Sequence, residues 1–413
     1  MKTILFIADG MADRPIKELG WKTPLEAAEK PHLNRLASDG ICGIVDPIAP
    51  GIPPGSDTST LAMLGYDPVK VYTGRGAFEA VGAGLLVRQG DVAFRCNFAT
   101  VDDRMIVRDR RAGRIADEDT TRLAESLRKI KLKSASDVKF LFRNSVQHRA
   151  ALVLHGPKLS NAVSESDPET TGRKVKQIKP LDRSPEAERT AQIANELAIK
   201  FYEVLKDHPV NKDRIVRKLS PANIVLLRGA GTLPRIEPLQ KRFGVKCAAV
   251  CAVSLIKGVC RASGMKVLNV KGATGTPETD YMAKAKAAVR ALRTNDFVFL
   301  HVKATDVAGH DGKPRLKVDV IEKIDTMMGH MFENVDLGST YLAVTADHST
   351  SCVTGNHEGD PVPVAILGPG VRRDDVTEYG ERSCAKGGLH RIRGPDLLHI
   401  LMNLMGRISK FGA

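Results

Sequence analysis

The chain has 413 residues, 42% hydrophobic and 27% charged, which suits a globular protein of two domains or of one large domain with an insertion. No apolar run reaches the length of a membrane span, and Thr3–Ala8 reads as a strand rather than the apolar part of a signal sequence, so no membrane-spanning helix is expected. The net charge of +14 points to an anionic partner; with aromatics at 5%, no arginine-glycine repeats and no zinc-finger spacing, a small anion is favoured over nucleic acid.

Lys2 to Ala8 is a continuous apolar run that stops at Asp9-Gly10. It predicts a strand buried on both faces, of the parallel-sheet kind, with Asp9 at the carboxyl end where α/β folds bind ligands. Pro24 to Gly40 predicts a helix and Ile41 to Val45 a strand. The proline-glycine loop from Ala49 to Gly55 then reaches Ser56, followed by a helix-compatible run from Thr58 to Leu64. A hydroxyl at that point is either a plain N-cap or a group set beside the free N–H groups of a helix start, where anions bind.

From about Phe78 the texture changes. Strands are expected over Val92–Val101, Met105–Ile115, Val138–Phe142 and Ala150–His155, with a helix over Asp117–Ile130. Between Arg95 and Arg183 there are 20 Lys+Arg against 12 Asp+Glu, and Arg108, Arg110, Arg111 and Arg114 share one short stretch. The cluster reads either as a solvated rim or as an anion-binding surface. Ser184 to Leu205 predicts a helix that opens Ser-Pro-Glu. Strands at Asn223–Leu227, Lys246–Val250, Lys266–Val270, Asp296–Val302 and Thr340–Thr345 then alternate with helices at Ile236–Phe243, Ser254–Ser263, Thr279–Leu292 and Val318–Phe332. Such alternation predicts an α/β core with a mostly parallel sheet, helices on both faces, and the basic segment inserted as an α+β cap. Cys247, Cys251 and Cys260 lie in apolar surroundings and read as reduced core residues, which fits a cytoplasmic location.

Two later strands run out as the first does, into Asp306-Val-Ala-Gly-His310 and Asp347-His348-Ser-Thr, and His357 comes after them. Carboxylates gathered at one sheet edge repel unless a cation sits among them. Asp9, Asp306, His310, Asp347, His348 and His357 are too many ligands for one divalent ion and suit two, with Mn²⁺, Zn²⁺, Co²⁺ or Mg²⁺ as candidates and Mn²⁺ preferred. A metal beside Ser56 lowers the pKa of its hydroxyl and makes it a nucleophile for phosphoryl transfer. Attack by water on the phosphoserine would make a phosphatase; attack by a substrate hydroxyl would make a mutase and would call for a water-excluding, arginine-lined cap.

Asp9-Gly10, Pro54-Gly55-Ser56-Asp57-Thr58, Asp306-x3-His310-Asp-Gly and Asp347-His348-Ser-Thr with His357 together resemble the alkaline phosphatase superfamily. The opening Ile-Ala-Asp-Gly-Met-Ala-Asp-Arg-Pro, Gly65-Tyr-Asp-Pro68, Gly74-Arg-Gly76, Asp109-Arg-Arg-Ala-Gly-Arg114, Lys271-Gly-Ala-Thr-Gly275 and His301-Val-Lys-Ala-Thr-Asp306 narrow the resemblance to archaeal-type cofactor-independent phosphoglycerate mutases. The resemblance implies one ion held by Asp306, His310 and His357 and another by Asp9, Ser56, Asp347 and His348. It also implies a Ser56 phosphoenzyme that interconverts 3- and 2-phosphoglycerate in glycolysis and gluconeogenesis without 2,3-bisphosphoglycerate. Residues 1–78 and 185–413 would form the metal-binding core and 79–184 the substrate-binding cap. Arg95, Arg110, Arg111, Arg149 and Lys303 are the candidates for holding substrate. The implied partner is a small phosphoglycerate, with no nucleic acid and no membrane, and a homo-oligomer is allowed. The alternatives are a metal-dependent phosphate monoester phosphohydrolase and a basic nucleic-acid-binding protein.

Overall fold

A computed structural model describes residues 1–412 and divides into two compact units, Met1–Tyr72 with Ile236 onward, and Thr73–Arg235. The strands in chain order are β1 (Lys2–Ala8), β2 (Ile41–Asp46), β3 (Val92–Val101), β4 (Val107–Asp109) and β5 (Lys139–Asn144). They continue with β6 (Arg149–His155), β7 (Ile224–Gly231), β8 (Cys247–Val250), β9 (Lys266–Val267) and β10 (Phe297–Val302). The last five are β11 (Thr340–Thr345), β12 (Ser349–Thr350), β13 (His357–Glu358), β14 (Val362–Leu367) and β15 (His390–Arg393).

The first unit is built on an eight-stranded sheet in the order β15-β2-β14-β11-β1-β10-β8-β9. All its neighbouring pairs are parallel except the two that β14 makes, with β11 and β2. At its centre β10 and β11 are buried along their whole length and β1 along all but its first residue, as expected for apolar runs covered on both faces. Their register is tight: Ile7 lies beside His301 on one side and Thr345 on the other. Three adjacent parallel strands therefore release their chains at one sheet edge, and Asp9, the Lys303–Asp306 segment and Asp347 arrive together there.

Pro31 divides the helix predicted over Pro24–Gly40 into Pro24–Ala27 and Pro31–Asp39. A proline disfavours helical backbone in the residue before it, and Lys30 sits at φ −141°, ψ 59°. Helices at Arg75–Gly82, Pro209–Val216, Ala304–His310 and Gly394–Leu404 were not expected. Among the described residues no helix is long and apolar enough to cross a membrane, and all seven cysteines are buried and free.

The second unit is a five-stranded antiparallel sheet in which β3 pairs with β4, β6 and β7. Its boundaries differ from the expected 79–184. β7 was expected in the parallel core, yet its apolar residues pair with β3. The helix Pro185–Lys206 sends Ala194, Leu197, Phe201 and Leu205 into one core with Phe94, Phe98 and Phe142. Phe142 meets Phe201 at 5.2 Å and Phe98 edge-on at 6.0 Å, contacts worth about 0.5–1.5 kcal/mol each beyond burial. Residues 73–78 and 185–235 thus belong with the insertion. The strand expected over Met105–Ile115 shrinks to Val107–Asp109. Beyond it Ala112, Gly113 and Arg114 take positive φ, and the Asp109 carboxylate accepts hydrogen bonds from the Arg111 and Gly113 N–H groups, which closes a turn.

Candidate functional site

Ser56 opens the helix Ser56–Met63, and Gly55 is its N-cap. The plain capping role is therefore not what the serine does. Thr58 fixes the turn, its hydroxyl donating to the Gly55 carbonyl and accepting from the Gly55 N–H, while Tyr72 donates to Asp57 at 2.7 Å. The Ser56 Oγ is left 3.2 Å from Lys303 Nζ and 3.2 Å from His348 Nε2.

Around that oxygen stand three buried carboxylates, Asp9, Asp306 and Asp347. The Lys303 ammonium sits among them, 2.9 Å from Asp9 and 2.7 Å from Asp306, with its pKa raised because their charges outweigh burial. Burial acts to raise the Asp9 pKa, but Lys303 and hydrogen bonds to His301 and His348 hold it well below the usual carboxylate range. Asp306 is likewise held low, mainly by Lys303 working against burial. Asp347 goes the other way, pushed up by burial and by the charge of Asp9. Burial lowers the His348 pKa, and the charges of Asp347 and Asp9 more than reverse it.

Two sets of donor atoms converge, Asp9 with Asp347 and His348, and Asp306 with His348 and His357. His310 joins the second: its Nε2 lies 3.3 Å from Asp306 Oδ1 and 3.2 Å from His357 Nε2, while His357 Nε2 lies 3.2 Å from the same Oδ1. Both histidines face a carbonyl through Nδ1 at 2.7 Å, His310 that of Gly355 and His357 that of Pro54. A carbonyl only accepts, so each Nδ1 carries a proton, and the Nε2 of each ring is the atom turned inward. Two imidazole nitrogens and a carboxylate oxygen thus converge, 3.2–3.3 Å from one another. That is the donor set and spacing of ligands around an ion held at about 2.0–2.1 Å. The residues fit a divalent metal.

The sequence motifs placed Asp9, Ser56, Asp306, His310, Asp347, His348 and His357, and the fold brings all seven to one edge. Asp306 lies in the first turn of the helix Ala304–His310 rather than at a strand end, which explains its i, i+4 pairing with His310. His301, whose Nε2 is 2.9 Å from Asp9, was quoted within a motif but given no role; its signal was an imidazole inside a buried apolar strand. Lys303, expected among the substrate-holding residues, stands in the acidic cluster.

The arginines occupy the insertion. Alternation along β3, β6 and β7 puts Arg95, Arg149 and Arg228 on one sheet face, opposite to the face that carries Phe94, Leu152 and Leu227. Arg95 and Arg228 are direct cross-strand partners, a like-charge pairing that costs stability. Glu79 lies 3.4 Å from Arg75 and 3.8 Å from Arg95. Burial first, then Arg75, pulls the Arg95 pKa down to about 10, and burial lowers that of Arg149. Burial together with Arg149, Arg111 and Arg95 takes His148 down to about 4. Among the described residues, the buried Nε atoms of Arg95 and Arg228 have no hydrogen-bond partner. Arg110 differs: it is bound through two nitrogens to the buried Asp167, at 2.8 and 3.1 Å.

A family model for 2,3-bisphosphoglycerate-independent phosphoglycerate mutase matches residues 37–211. The 2,3-bisphosphoglycerate-independent phosphoglycerate mutase 1 of Methanothermobacter thermautotrophicus is 49% identical over 414 residues, covering 100% of both chains. That of Methanocaldococcus jannaschii is 49% identical over 412 residues, covering 100% of this chain and 99% of the relative. Among solved structures, the PH0037 protein of Pyrococcus horikoshii superposes with a TM-score of 0.88 at 43% identity, over 100% of this chain and 99% of the other. The cofactor-independent phosphoglycerate mutase of Thermoplasma acidophilum superposes with a TM-score of 0.70 at 38% identity, over 98% and 100%. The chain belongs to the archaeal-type 2,3-bisphosphoglycerate-independent phosphoglycerate mutases.

Proposed function

We propose that this chain interconverts 3-phosphoglycerate and 2-phosphoglycerate, a step of glycolysis and gluconeogenesis, through a phosphoserine at Ser56. The observation that carries the reading is the Ser56 Oγ at a helix start, within 3.2 Å of both Lys303 and His348 and beside the two donor sets. The oxygen attacks the phosphorus, the bond to the 3-oxygen breaks, and the 3-hydroxyl gains a proton as Ser56 loses one. The 2-hydroxyl then attacks the phosphoserine, gives up its proton, and Ser56 leaves as the hydroxyl. Lys303 lowers the cost of negative charge on Oγ in both steps, and the N–H groups of the helix start face the phosphoryl oxygens.

Asp306, His310 and His357 would hold one divalent ion, and Asp9, Ser56, Asp347 and His348 the other. When bound, such ions supply charge stabilisation to the phosphoryl group and a lowered pKa to the serine. With nitrogen and oxygen donors mixed, Mn²⁺ is our first assignment.

Transfer rather than hydrolysis requires that the glycerate stay bound. We assign that task to the cationic face of the insertion, to Arg95 and Arg149 with Arg111, and add Arg75 and Arg228, which carry the same field. Arg110, engaged with Asp167, we regard as a strut for the 110–114 turn. The test is to incubate the protein with 3-phosphoglycerate and Mn²⁺, without 2,3-bisphosphoglycerate, and to measure 2-phosphoglycerate against free phosphate. Phosphate as the main product would establish a phosphohydrolase instead.

A further inference from the structure

We propose that Thr350 is a positioning residue that ties the two donor sets together and fixes the orientation of His348. This rests on the reading of those sets as a metal pair. The Thr350 Oγ1 lies 2.7 Å from Asp306 Oδ1 and 3.1 Å from His348 Nδ1. A hydroxyl has one proton, and Asp306 Oδ1, the nearer of the two partners, accepts it. The other contact must then run the opposite way, with His348 donating its Nδ1–H to the hydroxyl oxygen. That leaves the His348 Nε2 as the atom turned to Asp9 Oδ1 at 3.3 Å, Asp347 Oδ2 at 3.4 Å and Ser56 Oγ at 3.2 Å. One hydroxyl thus sets a ligand of each set, and the backbone of Thr350 adds a third link by pairing with His357 between β12 and β13.

The surroundings are built to hold this residue. Its N–H donates to the Ala12 carbonyl, and its own carbonyl accepts from Lys317, a fully buried ammonium that also grips Asp13 at 2.9 Å. Gly10, at φ +67°, has no room for a side chain: a Cβ there would meet Thr350 Oγ1 at 2.4 Å and the Asp306 Cβ at 2.7 Å. A Cβ on Gly309 would meet the Thr350 Cγ2 at 2.8 Å. Two glycines and a buried lysine leave the threonine a single place.

The test compares Thr350→Val, which keeps the shape and removes the hydroxyl, with Thr350→Ser, which keeps the hydroxyl. Thr350→Ala serves if valine crowds Gly10. Mn²⁺ is titrated calorimetrically into metal-free protein, and the His348 tautomer is read by ¹⁵N NMR of histidine-labelled, metal-free samples at a pH high enough for the ring to be neutral, with the fold checked by circular dichroism. Removing a hydrogen bond that orients a ligand costs about 10–100-fold in metal affinity, so the valine variant should lose that much and show His348 no longer fixed as the Nδ1–H form. The serine variant should restore both. If wild type takes up two ions, and valine and alanine variants bind them equally well with the tautomer unchanged, the inference about Thr350 is overturned and the metal pair stands. A wild type that binds no divalent ion overturns the metal pair and the role of Thr350 with it.

Discussion

The acidic edge of the core and the arginine face of the insertion pose one electrostatic problem with opposite signs. In the core, Asp9, Asp306 and Asp347 are buried with Lys303 as the ammonium among them, and imidazole nitrogens converge on the same carboxylates. In the insertion, Arg75 and Arg95 crowd around Glu79, while Arg149 and Arg228 share the face. Folding alone gains nothing from either crowd, since buried like charges cost free energy unless a counter-ion arrives. On the proposed function, each region would receive something brought from outside, cations at one and an anion at the other. The rest of the molecule behaves differently: Lys317 with Asp13 is a closed pair, and Asp167 is shared by Arg110 and, at 3.3 Å, Arg228.

The sharpest way to break this comparison is at Ser56. Ser56→Ala removes the attacking oxygen and leaves the carboxylates and imidazoles in place. Mutase turnover should fall on the order of 10⁴-fold or more, with the melting temperature and Mn²⁺ uptake at the Asp306, His310 and His357 set little changed. Appreciable remaining activity would rule out the phosphoserine. Removing the cations comes next. Chelation should abolish activity without unfolding and lower the melting temperature, because an ion that binds only the folded state stabilises it. Mn²⁺ should restore both, and a metal-free protein of full activity would defeat the assignment of the acidic edge.

The insertion is tested by Arg149→Ala. Loss of a charged contact to substrate should cost about 10²-fold in kcat/KM, whereas Arg110→Ala should act mainly on stability by leaving the buried Asp167 with only its 3.3 Å contact to Arg228. His148 reports on the same field without any turnover. Burial and the positive charges of Arg149, Arg111 and Arg95 hold its pKa at about 4, so deleting Arg149 should move it up toward the ordinary 6.5, while a bound anion should do the same. Proton NMR titration reads this directly; an unmoved His148 would mean that the arginines are screened by solvent and the face is only a rim.

These clusters were legible in the sequence to different degrees, for physical reasons. The acidic edge was readable because parallel buried strands announce themselves as apolar runs, and the residues just beyond each run must reach the same edge. That located Asp9, Asp347 and the segment with Asp306 and His310. The arginine face was legible as charge but not as geometry. Arg228 sits on a strand whose apolar pattern suited either sheet, and only its pairing with β3 reveals the partner. Arg110 and Arg111 are neighbours in sequence, and the two hydrogen bonds of Arg110 to Asp167 set it apart. Thr350 carries no signal beyond its place a few residues after Asp347-His348, since a hydroxyl's role depends on which groups compete for its single proton.

The smallest expected effect concerns a half-buried carboxyl, Glu381, away from both clusters. Glu381 accepts hydrogen bonds from the Asp13 N–H at 3.1 Å and the Thr23 hydroxyl at 2.8 Å, yet burial pushes its carboxyl up to about 7 from 4.5. The folded chain therefore keeps a proton that the unfolded chain has released between pH 4.5 and 7. The group's relative contribution to stability is at its best below 4.5, is lost as pH rises through that window, and is wholly gone above about 7. Glutamine at this position stays neutral throughout. Glu381→Gln should flatten the fall in melting temperature between about pH 5 and pH 8 by a few degrees and gain most at the upper end. If the two proteins melt in parallel across that range, Glu381 is solvated well enough to ionise freely. The principle would then hold only for the two clusters, whose charges are crowded as well as buried.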